Sequence, residues 1–355
     1  MKKLLFVSQS QFGQLVDYYQ YCAILHTEFE ITYLCWDYNL PKIQKDNITF
    51  IYISRSGNII LRNLRFLKTV FSTIKKQHFD HIYIKYFRGS SLLALFSKSK
   101  NKMFVDIRSA GVMTSKIKRI IYDKCLTFEC RLFKNICVIS EGVKERLNLP
   151  IRTIVIPLGA NKTTVSREQK EGLHLLYVGT FNNRNIHQTI EGVKLFHDSN
   201  PTIPLSYTII GKGDSDSETL IKTTIESNKL QNIVTLKGYI QNDKLNSFYE
   251  RTNIGIAYVP ITDYFNHQPV TKTFEYLLCG LPVLATGTSE NKLIVNKDNG
   301  VIIEDNPSSF SQGLLQISTL INDFKEEKIM RSVENYEWKT IVENLKKVLS
   351  KYTKN

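Results

Sequence analysis

PVTKTFEYLLCGLPVLAT, Pro269–Thr286, reads as a short helix that runs into a buried strand. Pro269 cannot donate a backbone hydrogen bond, and Thr271 has a side chain suited to capping a helix start. Val270, Phe274, Leu277 and Leu278 recur at spacings of three and four, the signature of one buried helix face. Gly280 and Pro282 end the helix, and Val283–Thr286 continues as an apolar strand. Two charges, Lys272 and Glu275, interrupt this otherwise apolar unit. The unpaired amides of the first helical turn, at Val270 and Thr271, form an anion site to which Lys272 adds positive charge. Glu275, one turn further in, is placed to accept two hydroxyl hydrogen bonds, as a ribose offers. Read alone, the stretch is better taken as a core helix with two solvated charges.

The chain on either side alternates strand, loop and helix, which points to an α/β fold with parallel sheets. Towards the N-terminus, apolar strands are predicted at Lys3–Ser8, Ile31–Trp36, Thr49–Ile53, Asp80–Tyr86, Lys102–Ile107, Ile136–Ile139 and Ile154–Pro157. The first of these ends in a polar loop containing Gly13, and the fifth runs into Asp106, Arg108 and Gly111. In a doubly wound sheet both loops lie at the carboxyl ends of strands, where ligands bind. Further strands are predicted at His174–Val178, Leu205–Ile210, Val234–Gly238, Ile254–Pro260 and Val301–Glu304. Between them fall two misleading motifs. Gly211-Lys212-Gly213 lacks the third glycine of a dinucleotide fingerprint. Asp214 and Asp216 mimic a metal-binding carboxylate pair, but they stand where they would cap the following helix.

The 355 residues suffice for two domains, and 42% apolar with 23% charged residues is a globular composition. No apolar run approaches the ~20 residues needed to cross a bilayer. The apolar run after the N-terminal lysines stops at Val7, so it reads as a first strand rather than a signal sequence. Six cysteines without a Cys-x-x-Cys pair imply buried thiols in a reducing cytoplasm. The net charge of +14 is lopsided. Residues 1–160 hold 25 Lys and Arg against 11 Asp and Glu, while the rest of the chain holds 22 of each. No finger, recognition-helix or aromatic-strand motif accompanies this excess, which argues against a nucleic-acid partner. An anionic membrane surface or a phosphorylated acceptor explains it better, with Lys68, Lys75, Lys76, Lys116, Lys118 and Arg119 as the cations on two amphipathic helices.

The Lys272 and Glu275 helix, followed by Gly280-Leu281-Pro282-Val283, resembles the donor-nucleotide segment of the family 4 glycosyltransferases. These enzymes have the GT-B fold, with two Rossmann-like domains facing each other across a deep cleft. Gly179-Thr180-Phe181-Asn182-Asn183-Arg184 is similar to the family's diphosphate loop, with Thr180 and Arg184 in place of the usual Arg or Ser and Lys. Pro157-Leu158-Gly159-Ala160-Asn161 resembles the segment where the family crosses between domains, and Ser140 after a strand resembles its serine near the cleft. The family pattern has a second glutamate eight positions before Glu275, where this chain has His267.

The resemblance implies a Rossmann-like acceptor domain over residues 1–157 and a donor domain over 158–335. The last segment, 336–355, is expected to form a helix that packs back on the first domain. It also implies a retaining transfer from a nucleotide-diphosphate sugar to a glycan or lipid-linked acceptor in surface polysaccharide synthesis, in the cytoplasm or at the inner membrane face. Neither a metal nor another cofactor is expected. Glu275 would hold the ribose, while Arg184, Lys272 and the amides at Val270 and Thr271 would meet the leaving diphosphate. Gly179, Thr180, Gly211 and His267 complete the expected donor site. Gly13 and Arg108 are expected at the acceptor, and Asp106 in the catalytic set. A nucleotide-sugar epimerase on the same fold, or a non-catalytic relative of the transferases, are the alternatives.

Overall fold

The computed structural model describes residues 1–163, 165–166, 171–241 and 244–351. The chain forms two compact units, Met1–Leu158 with Trp338–Asn355, and Gly159–Glu337. The first break falls one residue after the expected boundary and the second two residues after it. Residues 352–355 of the expected C-terminal segment lie outside the described residues.

The first unit is a seven-stranded parallel sheet. Its strands are β1 (Lys2–Ser8), β2 (Phe29–Asp37), β3 (Ile48–Ser54), β4 (His81–Lys85), β5 (Met103–Ile107), β6 (Asn135–Val138) and β7 (Ile154–Val155). They lie in the order β3-β2-β1-β4-β5-β6-β7. The central strands are near-continuous apolar runs because helices cover both faces of a parallel sheet. Leu4, Leu5, Phe6 and Val7 are all fully buried. Asn58 caps the helix Ile59–Lys76, and Ser140 caps Glu141–Arg146 by accepting from Val143 N at 3.2 Å. The C-terminal helix Trp338–Lys351 belongs to this unit. Its Trp338 meets Tyr21 edge-on at 6.0 Å, and Lys346 pairs with Glu28 at 2.7 Å.

The second unit is a six-stranded parallel sheet of β8 (Leu173–Thr180), β9 (Leu205–Lys212), β10 (Val234–Leu236), β11 (Ile254–Ala257), β12 (Val283–Thr286) and β13 (Gly300–Ile303). Their order is β10-β9-β8-β11-β12-β13. Both sheets therefore reverse strand order beside their first strand, the switch point where doubly wound folds bind ligands. The second core is built from side chains such as Ile190, Val193, Tyr207, Ile209, Ile254 and Phe310. Asp214 caps the helix Ser215–Ser227 by accepting from Ser217 N at 2.9 Å, the role its sequence position implied.

Candidate active site

The helix Thr271–Leu278 follows the β11 loop. Val270, not Thr271, is its N-cap, and no side chain caps it. A hydroxyl at the first helical position points away from the amides it would have to reach, so Thr271 cannot serve as the cap. The buried face holds Thr273, Phe274, Tyr276, Leu277 and Leu278. Tyr276 is the anchor: its hydroxyl accepts from Val178 N of β8 at 2.9 Å. Gly255 of β11 makes room for that ring, since a Cβ there would lie 2.4 Å from Tyr276 Cγ. The helix is thus pinned across the carboxyl half of the sheet while Lys272 and Glu275 stay half-buried on its other side.

Lys272 Nζ pairs with Glu275 Oε2. The Tyr249 hydroxyl reaches the same oxygen at 3.5 Å. Both contacts fall on Oε2, so Oε1 is the oxygen free of them.

The loop after β8 supplies the second cation. Gly179 and Gly211 face each other at the ends of β8 and β9, and a Cβ on Gly211 would sit 1.8 Å from the Gly179 carbonyl oxygen. This close approach fixes the loop. Phe181 N donates to Lys212 O at 3.1 Å, Asp214 N to Asn182 Oδ1 at 2.7 Å, and the Tyr177 hydroxyl to Thr180 O at 2.7 Å. Gly211 N is spent on Gly238 O at 2.8 Å. Gly211 is therefore a packing residue rather than a donor contact, because its amide has no hydrogen left to offer a ligand. Gly179, likewise, shapes the loop that carries Arg184.

Arg184 turns back over the sheet end. Its guanidinium carbon lies 4.0 Å from the centre of the Phe265 ring, a cation–π contact. Burial lowers its pKa from the ordinary value, opposed by Tyr177 and Tyr264. Nη1 is buried without a hydrogen-bond partner. Phe265 belongs to the loop leading into the Thr271 helix, two residues before His267. One contact therefore brings the β8 loop against the segment that carries His267, Lys272 and Glu275. His267 itself is half-buried.

The first unit places its candidates differently. Gly13 sits in an exposed turn after β1. There Gln14 N donates to Gln11 O at 3.1 Å, and the Gln11 side chain ties the turn to Leu40 and Tyr38. Asp106, on β5, is fully buried, and Oδ2 accepts from the Tyr18 hydroxyl at 3.0 Å. Arg108 Nε donates to Asp17 at 2.7 Å and Nη1 to Ile156 O at 2.7 Å; Nη1 also lies 3.7 Å from Asp106 Oδ1. Burial pushes the Asp106 carboxyl up to about 6, opposed by Arg108. Asp106, expected in the catalytic set, has no exposed surface in this structure, and its carboxylate faces Tyr18 and Arg108. Arg108 is nine-tenths buried and spent largely on internal partners. Gly111, in the loop after β5, donates its N–H to Asp123 Oδ1 at 2.7 Å and accepts from Arg146 at 2.9 Å.

Residues 172–319, nearly the whole second sheet and its helices, match the family of glycosyl transferases group 1. The second unit is a group 1 glycosyltransferase domain. No curated protein matches the chain in sequence. Among solved structures, the chain is similar to sucrose-phosphate synthase from Thermosynechococcus elongatus, with a TM-score of 0.76, 15% identity and 99% of each chain covered. It is similar to the lipopolysaccharide outer core galactosyltransferase WaaB, with a TM-score of 0.71, 15% identity, and 98% of this chain and 99% of that one covered. HepE from Anabaena in complex with UDP gives 0.74 at 12% identity, covering 99% and 100%. The fold is that of the GT-B glycosyltransferases, and the chain is a glycosyltransferase.

In this glycosyltransferase, sequence reasoning missed Phe265, Tyr249 and Tyr276 as parts of the site. Tyr276 carried a signal, an aromatic two residues after Phe274 in a helix too apolar to be surface. Phe265 carried none, because its partner lies on a loop some eighty residues earlier in the chain.

Proposed function

We propose that the chain is a retaining glycosyltransferase that moves a sugar from a nucleotide-diphosphate donor to a glycan or lipid-linked acceptor in surface polysaccharide synthesis. The single observation that carries the donor assignment is Arg184, a guanidinium with a buried, unpartnered Nη1 seated against the loop that leads to Lys272 and Glu275. A buried donor left unpaired costs ~1–3 kcal/mol, and an anionic oxygen would recover it.

On this reading Glu275 takes a ribose hydroxyl on Oε1. Lys272 shares itself between Glu275 and the diphosphate, and the amides opening the Thr271 helix face the same phosphate. When the bond from the sugar to the diphosphate breaks, charge grows on the leaving oxygen, where Arg184 and Lys272 stabilise it. The acceptor hydroxyl attacks from the side of departure, and its proton leaves with the diphosphate. The protein's own cations meet the charge that other transferases give to a metal. The titles of relatives support the donor class: HepE is seen with UDP and with UDP-glucose, and WaaB is a galactosyltransferase of the lipopolysaccharide outer core. The basic bias of the first unit supports a peripheral position on the cytoplasmic membrane face.

A thermal-shift panel of nucleoside diphosphates tests the donor class. A ligand at a hundred times its Kd adds about 2.7 kcal/mol of stability, enough to raise Tm by several degrees. One or more diphosphates should do so, and a panel without any response contradicts the assignment.

A further inference from the structure

Three helices, Ile59–Lys76, Ser91–Phe96 and Lys116–Arg131, connect β3 to β4, β4 to β5 and β5 to β6. All three crossings run the same way along the sheet, so their right-handedness puts them on one face. Glu129 binds the layer together, accepting from Gly89 N at 2.8 Å and from the Ser91 hydroxyl at 3.0 Å.

The outward side of Lys116–Arg131 is not polar. Ile117, Ile121, Cys125, Phe128 and Leu132 follow one another at steps of three and four residues, a stripe roughly 80° wide at 3.6 residues per turn. All five are exposed, Ile117 by 72% and Phe128 by 69%. On the helix Ser91–Phe96 of the same layer, Leu95 and Phe96 are exposed as well, the latter by 75%. An exposed apolar stripe of this kind marks an interaction surface.

The charge beside the stripe has one sign. Lys116, Lys118, Lys124 and Arg131 are exposed along it. The helix has two acids, and both are turned to internal work: Asp123 pairs with Arg146 at 2.9 Å, and Glu129 holds Gly89 and Ser91. The helices Ile59–Lys76 and Ser91–Phe96 contain no acid at all. Arg119, expected among the surface cations, is instead buried and bonded to Met113 O.

We propose that this face of the first unit docks on an anionic bilayer, with the stripe from Ile117 to Leu132 entering the acyl boundary and the flanking cations meeting lipid phosphates. The inference rests on the peripheral-membrane part of the function proposed above and assigns it a surface. No helix among the described residues is long and apolar enough to cross a membrane. An amphipathic helix with a cationic rim lies in the interface instead. The complementarity commits the occupant: an apolar seam between cations fits anionic lipid, whereas a second copy would bring four like charges against these four.

Co-sedimentation of the full chain with phosphatidylcholine vesicles, and with vesicles half phosphatidylglycerol, tests it. The chain should bind the mixed vesicles and leave the neutral ones. Ile121→Ser with Phe128→Ser should lower binding about tenfold or more through lost apolar burial, and Lys118→Glu with Lys124→Glu should lower it as far through lost charge. Phe128→Trp should be quenched by brominated acyl chains. Undiminished binding by the serine pair overturns the proposal, as does a parent that sediments with neither vesicle. A parent dimer that the serine pair converts to monomer also overturns it. A nucleotide-induced thermal shift, measured on the same samples, separates the two readings. If it persists while vesicle binding fails, only the docking surface falls; if it is absent while vesicle binding holds, only the donor assignment does.

Discussion

The two sheets share one strand order over six positions but treat their charges in opposite ways. At the carboxyl ends of β1 and β5, Asp17, Asp106 and Arg108 are buried together, with Arg108 bonded to Asp17 and 3.7 Å from Asp106. At the end of β8, Arg184 is half-buried and has no carboxylate partner among the described residues, only a ring beneath it and an unpaired Nη1. In the first arrangement the cation is met by carboxylates of the protein itself. In the second no carboxylate does so, and on the proposed function an anion from outside takes that place, so the same topology carries an internal charge cluster in one unit and the proposed binding site in the other.

The largest effect should come from breaking the loop that presents Arg184. Gly211→Ala drives a Cβ into the Gly179 carbonyl, and neither backbone can yield without parting β8 from β9. A loss of roughly 3 kcal/mol or more is expected in urea unfolding of the second unit. A variant as stable as the parent would show that the two strand ends are not held as described.

Arg184→Ala and Lys272→Ala sharpen the contrast by chemistry. Each should lower kcat by about a hundredfold or more while changing donor KM less, because the charge they meet grows in the transition state. Unchanged kcat with a raised KM would reduce both residues to ground-state binding.

The buried charge cluster of the first unit makes a prediction in pH. Burial holds the Asp106 carboxyl at about 6, above its unfolded value near 4, so the folded state binds the proton more tightly. Its contribution to stability is fullest below about pH 4 and is lost as pH rises through 6. Relative to the parent, Asp106→Asn should therefore be less stable at pH 4.5 than at pH 7 by about 2 kcal/mol of relative change. Parallel stability curves for the two proteins would contradict this. The smallest effect expected is none. A chelator should leave turnover unchanged, since Asp214 is occupied with its helix cap, and loss restored by manganese or magnesium would return the carboxylates of that loop to the site.

Much of this was legible in the sequence. The strands announced themselves as apolar runs between turns, and the Thr271 helix came through its spacing, its Gly280 stop and its misplaced charges. The helix Val16–Leu25 was not legible. Leu15 at its start gives no side-chain cap, and Tyr18, Tyr21 and Cys22 are buried against the sheet and Trp338 on more than one side, which erases the amphipathic pattern. The setting of Asp106 was hidden for a related reason. A carboxylate at a strand end looks the same in sequence whether it faces a ligand or Tyr18. Arg184 was picked out by its place after a strand, but the ring of Phe265 and the missing partner, on which the proposed site rests, arise only when two distant loops meet.

The claim that the second unit holds a nucleoside diphosphate on the Thr271 helix is tested most directly by calorimetric titration of the parent and of Glu275→Ala with the diphosphate that gives the largest thermal shift. Charge-assisted hydrogen bonds from ribose hydroxyls contribute ~1.5–3 kcal/mol, so the variant should bind about ten- to a hundredfold more weakly while melting as the parent does without ligand. Equal affinity in the two proteins would contradict the account.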